Sequence, residues 1–227
     1  MRARREPISR RERPAKPALT RAGIVATGVR VMRAEGLGRV TMRRLATELD
    51  TGPASLYVYL DSVSELHAAI LEEMLGEVDL GPVTAAGGWR ERIDGILGSY
   101  SRVLDENPGL ARSALVARPA GPNYLSLLEA LLTLLDEGGV PDAQAAWGVD
   151  LLLQNATASA VEHPGPEAAP GSEEWNALAA ALEEASPTRT PRVAALGLQL
   201  LSGSPQERRK WAIRTLLDGT MHTPLPE

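Results

Sequence analysis

The stretch Val40-Thr-Met-Arg-Arg-Leu-Ala-Thr-Glu-Leu-Asp-Thr-Gly-Pro-Ala-Ser-Leu-Tyr-Val-Tyr-Leu60, followed by Asp-Ser-Val-Ser-Glu-Leu66, decides how the chain is read. Thr41 is suited to cap a helix start, because its hydroxyl accepts a free backbone N–H, and Met42, Leu45, Ala46 and Leu49 follow at helical spacing. Asp50-Thr-Gly52 predicts a turn. Pro53 fits the first position of a further helix, where its missing N–H is no loss, and that helix is predicted over Pro53–Leu60. Ser62-Val-Ser-Glu65 has the spacing of a capping box and opens a long amphipathic helix, about 62–80, bearing Leu66, Ile70, Leu71, Met74, Leu75 and Val78. Two short helices joined by a tight turn form a helix-turn-helix, whose second helix enters the major groove of DNA while the first helps hold the backbone.

Working outward, Ile24, Val25, Val29, Met32 and Leu37 recur at helical spacing between a cap at Thr20 and a stop at Gly36. Residues 1–17 carry six arginines and Lys16 among three prolines and read as a flexible basic arm. Downstream, Gly81-Pro82 and Gly87-Gly88 bracket a break. Periodicity then predicts helices at 89–106, 108–117, 122–137 and 141–162. The Pro/Gly-rich run from His163 to Gly171 predicts a mobile loop over 163–172, and further helices are expected at about 173–185, 190–202 and 205–218. No stretch alternates as a strand does. The predicted fold is all-α, with an arm (1–17), a three-helix DNA-binding domain (18–80) and a helical effector-binding and dimerisation domain (81–222).

Charge separates along the same line. Residues 1–50 hold 13 Lys+Arg against 5 Asp+Glu, leaving 11 basic and 24 acidic residues for the rest of a chain whose totals are 24 and 29. A head at +8 on a body at −13 points to a polyanion-facing N-terminal part. No apolar run approaches the ~20 residues of a membrane-spanning helix. Cysteine is absent, which removes disulfides and thiolate-ligated zinc. The expected location is cytoplasmic and nucleoid-associated, with no membrane partner. The lack of phenylalanine and the presence of only Lys16 and Lys210 among lysines suggest a GC-rich, actinobacterial coding bias.

Residues 20–75 resemble the DNA-binding domain of the tetracycline-repressor (TetR) family, through Thr41, Leu45-Ala46 and the Leu56-Tyr57 pair before a capped long helix. The remainder is similar more loosely, through helix count and its Trp89-Arg-Glu-Arg92 opening. The resemblance implies a homodimeric repressor that leaves a palindromic double-stranded operator when a small molecule, apolar or aromatic, binds. It implies DNA contacts by Thr41, Arg43, Gly52, Pro53, Ala54, Ser55, Tyr57 and Tyr59. Thr41 and Tyr57 would touch phosphates; Arg43 would read a base, or else lie on a solvated face or at a phosphate. Tyr59 would reach DNA or pack under the long helix. Two departures stand out: Asp50 replaces the family's turn glycine, with Gly52 expected to relieve the turn, and Val63 replaces a common lysine, a loss the arginine-rich arm is expected to offset in the minor groove.

Family analogy places the dimer interface on the helices near 141–162 and 205–218; the alternative for Leu151-Leu-Leu153 is a central helix buried on all sides. Expected ligand contacts are Tyr100, Leu104, Leu115, Tyr124, Leu128, Trp147 and Asn155, each of which is otherwise plain core; Trp147 and Asn155, eight apart, share nearly one helix face. No catalytic residue, metal ligand or cofactor is expected. His67, His163 and His222 are scattered, and the pairs Glu72-Glu73, Glu173-Glu174 and Glu183-Glu184 read as solvated helix faces. The competing readings are a helical ligand-binding or adaptor protein that no longer binds DNA specifically, and an all-helical enzyme.

Overall fold

The computed structural model describes residues 18–107, 109–117, 119–162 and 171–226. The expected basic arm and nearly all of the expected loop at 163–172 lie outside the described residues. Every regular element among those described is helical.

Helix α1 (Arg21–Glu35) starts where Thr20 Oγ1 accepts the Gly23 N–H at 3.0 Å. It stops at Gly36, which takes a left-handed φ of 86° while its N–H bonds back to Met32 O. Leu37 therefore falls outside the helix, in a short 3-10 turn (Leu37–Arg39). Thr41 caps α2 (Met42–Glu48) through the Arg44 N–H at 3.2 Å.

Helix α3 (Pro53–Leu56) is only half the predicted length. Leu56 O accepts both the Tyr59 and the Leu60 N–H, so the chain tightens into a turn that leads to the extended cap Ser62. Gly52 does not relieve the preceding turn: its φ is −84° and a side chain there would meet nothing. Asp50 takes the left-handed conformation itself, with φ 47°, alone among the described non-glycine residues. A short polar side chain makes that conformation bearable where a branched one would not.

Helix α4 (Val63–Leu75) opens with Ser62 Oγ on the Glu65 N–H at 3.0 Å. The reciprocal bond of the predicted capping box is displaced, because Glu65 Oε2 accepts from Asp61 N rather than from Ser62. The helix ends five residues before the expected 80. Gly76, Glu77 and Val78 each bond three residues back, and glycine at 76 costs about 1 kcal/mol of helix propensity.

Below it lie α5 (Trp89–Asp105), α6 (Leu110–Val116), α7 (Pro122–Glu137) and α8 (Asp142–Glu162), then α9 (Glu173–Glu183), α10 (Pro191–Leu196) and α11 (Pro205–His222). The helix predicted over 190–202 breaks at Gly197, where φ is 46° and a 3-10 turn (Gly197–Leu201) follows. The last helix runs four residues past its expected end, started by a complete Ser204/Glu207 capping box.

One continuous apolar core joins these elements. Leu66 and Ile70 on α4 are fully buried and meet α1 where a Cβ at Gly28 would stand 2.8 Å from Ile70 Cδ1. Each such side chain contributes roughly 1.5–3 kcal/mol by leaving water. The other end of α4 packs on α6 and α7. Helix α11 lies along α8, with Gln144 Nε2 donating to the Thr220 and Thr223 carbonyls at 3.0 Å. By contrast α9, α10 and the turn after them bury no residue.

Candidate DNA-facing surface and ligand groove

All eight residues expected to face DNA are exposed: Thr41, Arg43, Gly52, Pro53, Ala54, Ser55, Tyr57 and Tyr59. The residues interleaved with them, Met42, Leu45, Ala46, Leu56 and Leu60, are buried. The helical period therefore sorts this segment into a packed side, which holds α2 against α3, and a bare side. Tyr59 is 37% exposed, so packing does not cover it. Val63, in the place of the family lysine, is half-buried against the core.

Two adjacent arginines divide the electrostatic work. Arg44 is fully engaged: its Nη atoms bond both Glu35 oxygens at 2.8 and 2.6 Å, and its Nε bonds Glu48 Oε1 at 3.0 Å. Arg30 bonds the other Glu48 oxygen at 2.9 Å. These charge-assisted bonds hold both carboxyls below their usual range, chiefly through Arg44 at Glu35 and through Arg30 and then Arg44 at Glu48. Arg43 points elsewhere, and its guanidinium has no protein partner among the described residues. The network fixes α2 against α1 and, among the described residues, leaves the Arg43 guanidinium without a partner. Sequence reasoning missed this network, although the Arg44/Glu48 spacing of four was a signal for part of it.

Among the described residues, the seven expected around a ligand fall in different places. Tyr124 and Leu128 of α7 and Trp147 of α8 line an open groove of about 490 Å³, with Ala146, Val149, Asp150 and Leu151. Leu104 borders a separate 150 Å³ cavity with Gly109, Arg112 and Ala160. Tyr100 is buried, and its hydroxyl pairs with Thr157 Oγ1 at 2.7 Å; burial raises its pKa. Leu115 is half exposed on α6. Asn155 does not line the groove with Trp147, and its Oδ1 is buried without a partner among the described residues. The helix α8 is not buried on all sides, since Leu152 and Leu153 are covered while Trp147 and Leu151 are 57% and 47% exposed. Glu72 is not a solvated acid: it bonds the backbone of Asn123 at 2.7 Å, 51 residues away, a contact that no local pattern announces.

Comparison with known proteins agrees with this architecture. The family profile described as tetracyclin repressor-like, C-terminal domain, matches residues 81–221. The chain is 30% identical over 135 residues to the HTH-type transcriptional repressor DrrR1 of Streptomyces coeruleorubidus, covering 60% of this chain and 50% of the relative. It is 32% identical over 124 residues to an HTH-type transcriptional regulator of Saccharopolyspora erythraea, covering 55% and 52%. These matches thus span about half the length of the curated relatives. Among solved structures, ActR from Streptomyces coelicolor is 31% identical, covers 90% of this chain and 98% of that one, and superposes with a TM-score of 0.79. A Streptomyces crystal structure named for the transcription regulator SCO7704 is 51% identical, covers 93% and 99%, and gives 0.78. All four relatives come from actinobacteria, as the coding bias suggested. With its all-helical architecture, its helix-turn-helix and this profile match, the chain belongs to the tetracycline-repressor (TetR) family.

Proposed function

We propose that this protein is a homodimeric, DNA-binding transcriptional repressor that a small apolar or aromatic molecule releases from a palindromic operator. The observation that carries this reading is Arg43. It is exposed on the first turn of α2 and unpaired among the described residues, next to an arginine neutralised on both sides. A free guanidinium suits the paired acceptors O6 and N7 of guanine. Thr41 and Tyr57 supply hydroxyls for phosphates, and Pro53, Ala54 and Ser55 offer a slim surface that can approach base edges. Residues 18–80 serve as the reading head and residues 81–222 as the effector-binding and dimerisation part, a division that the profile match from residue 81 supports.

A single head contacts few base pairs, and two related by a two-fold axis read half-sites about 34 Å apart. Exposed Leu151 on α8 and Trp211 on α11, 71% exposed, favour an interface made by these helices. The groove between α7 and α8 takes the ligand, with Tyr124, Leu128 and Trp147 as its walls. ActR, 32% identical over most of both chains, has been crystallised with actinorhodin, which supports a ligand-responsive reading.

Fluorescence polarisation with duplex from the region upstream of the protein's own gene tests the proposal. Binding should weaken steeply with salt, and Arg43→Ala should cost about 1–3 kcal/mol and relax the preference over random DNA. Equal affinity for random DNA would instead favour the adaptor reading.

A further inference from the structure

Helix α7 begins at Pro122 behind Gly121, which has no side chain to cap it. Its cap comes from α4. Glu72 Oε1 accepts the Asn123 N–H at 2.7 Å, and Oε2 accepts the Tyr124 N–H at 3.3 Å. In return Asn123 Nδ2 donates to the Glu72 carbonyl at 2.9 Å. Both glycines at this junction leave room for the contact. A Cβ at Gly121 would collide with the Glu72 carboxyl group, and one at Gly76 would stand 3.1 Å from Asn123 Nδ2. A carboxylate at a helix N-terminus is favoured by the orphan N–H groups and by the helix dipole.

The capped turn is also a wall of the groove, because Tyr124 and Leu128 are the α7 residues that line it. Helix α4 in turn is tied to the head. His67 Nε2 lies 3.1 Å from Val40 O just before α2, Glu65 takes the Asp61 N–H at 2.6 Å after α3, and Ile70 packs beneath Gly28 of α1. Tyr124 therefore presents its side chain to the groove while its amide bonds to the helix on which the head is mounted.

We infer that Glu72 is the positioning residue through which occupancy of the groove is felt by the DNA-reading head. This rests on the function proposed above. An occupant that turns the first turn of α7 breaks or tilts the cap and so shifts α4; an empty groove leaves the cap closed and the head in place. Coupling of this kind needs an element with two discrete arrangements, which a bonded or broken helix cap supplies.

The absence of cysteine from the chain permits a test with a probe of known location. In full-length protein, Leu128→Cys provides a single thiol in the groove, to be labelled with pyrene maleimide. Affinity for the upstream duplex is then measured with and without the label. With Glu72 present, the label should weaken binding about tenfold, a usual size for allosteric coupling. With Glu72→Ala added, the ratio of labelled to unlabelled affinity should fall below about twofold. Glu72→Gln, which keeps one oxygen for the Asn123 N–H, should give an intermediate ratio. If Glu72→Ala does not fold, the Glu72→Gln ratio decides alone. A ratio unchanged by the Glu72 substitutions overturns the inference and leaves the groove reading intact. A label without effect when Glu72 is present overturns the groove reading, and the inference with it.

Discussion

The proposed DNA-facing surface and the proposed ligand groove lie at opposite ends of α4 and are built in different ways. The caps and the charge network of the head are made between neighbours in sequence. Thr41 caps α2, Ser62 caps α4, and Arg44 reaches Glu48 one turn away and Glu35 nine residues back. The body that holds the groove is assembled from strangers. Tyr124 and Trp147 come from separate helices, Tyr100 meets Thr157 across 57 residues, and the start of α7 is capped from 51 residues away. Short-range chemistry gives the head an orientation that its own segment dictates, whereas the groove has only the shape its packing leaves.

That contrast can be attacked at both ends. The largest effect is expected from Leu56→Ala, which empties a fully buried site in the head and should cost about 2–5 kcal/mol in urea unfolding. Because the core is continuous through α4, unfolding should remain one transition; a separate early step for the head would show that the two regions are coupled less than their packing implies. Thr41→Ala should cost about 0.5–2 kcal/mol of stability through the lost cap, and should weaken DNA binding further through the lost hydroxyl. In the body, Tyr100→Phe should cost about 0.5–1.5 kcal/mol, since Thr157 keeps its second bond to Leu153 O at 2.7 Å. A loss well above that range would mean that this buried pair organises the groove as firmly as the caps organise the head.

The smallest effect is a dependence on acid. Glu35 and Glu48 are held below the ordinary glutamate value of 4.5 by Arg44 and Arg30. Their stabilisation is complete above that value and is lost as pH falls through the lower values of the folded state. Glu35 is exposed and Glu48 only half-buried, so the effect should be slight and screened by salt. Glu35→Gln should flatten this acid limb in thermal melts taken from pH 6 down to pH 3, roughly the interval over which a carboxylate titrates; an unchanged limb would mean that α2 is held by packing alone.

What the sequence made legible follows from the same contrast. Helix starts at Thr20, Thr41 and Ser62 and the stop at Gly36 were readable, because a cap is a contact between residues two to four positions apart. The whole set of exposed residues on α2 and α3 was readable too, since period and polarity mark both sides of a helix. The early ends of α3 and α4 were not. Leu60 and Val78 keep the apolar character of a continuing helix but are buried from within turns. Glu72 looked like one of many acids on a wet surface because nothing near it in sequence reveals α7. Of the residues expected around a ligand, Tyr124, Leu128 and Trp147 line one groove and Leu104 another cavity, because helix faces can be read locally and helix pairings cannot.

Gly148 carries a consequence for operator choice. Thr220 of α11 occupies the room a side chain at 148 would need, so even a methyl group would pry α11 from α8. If these two helices join the subunits, as proposed, they act as the ruler that sets how far apart the two heads stand. Gly148→Ala would then lengthen the ruler, and selection from random duplexes should return palindromes with a wider spacer at similar strength. An unaltered spacer would locate the ruler on other helices.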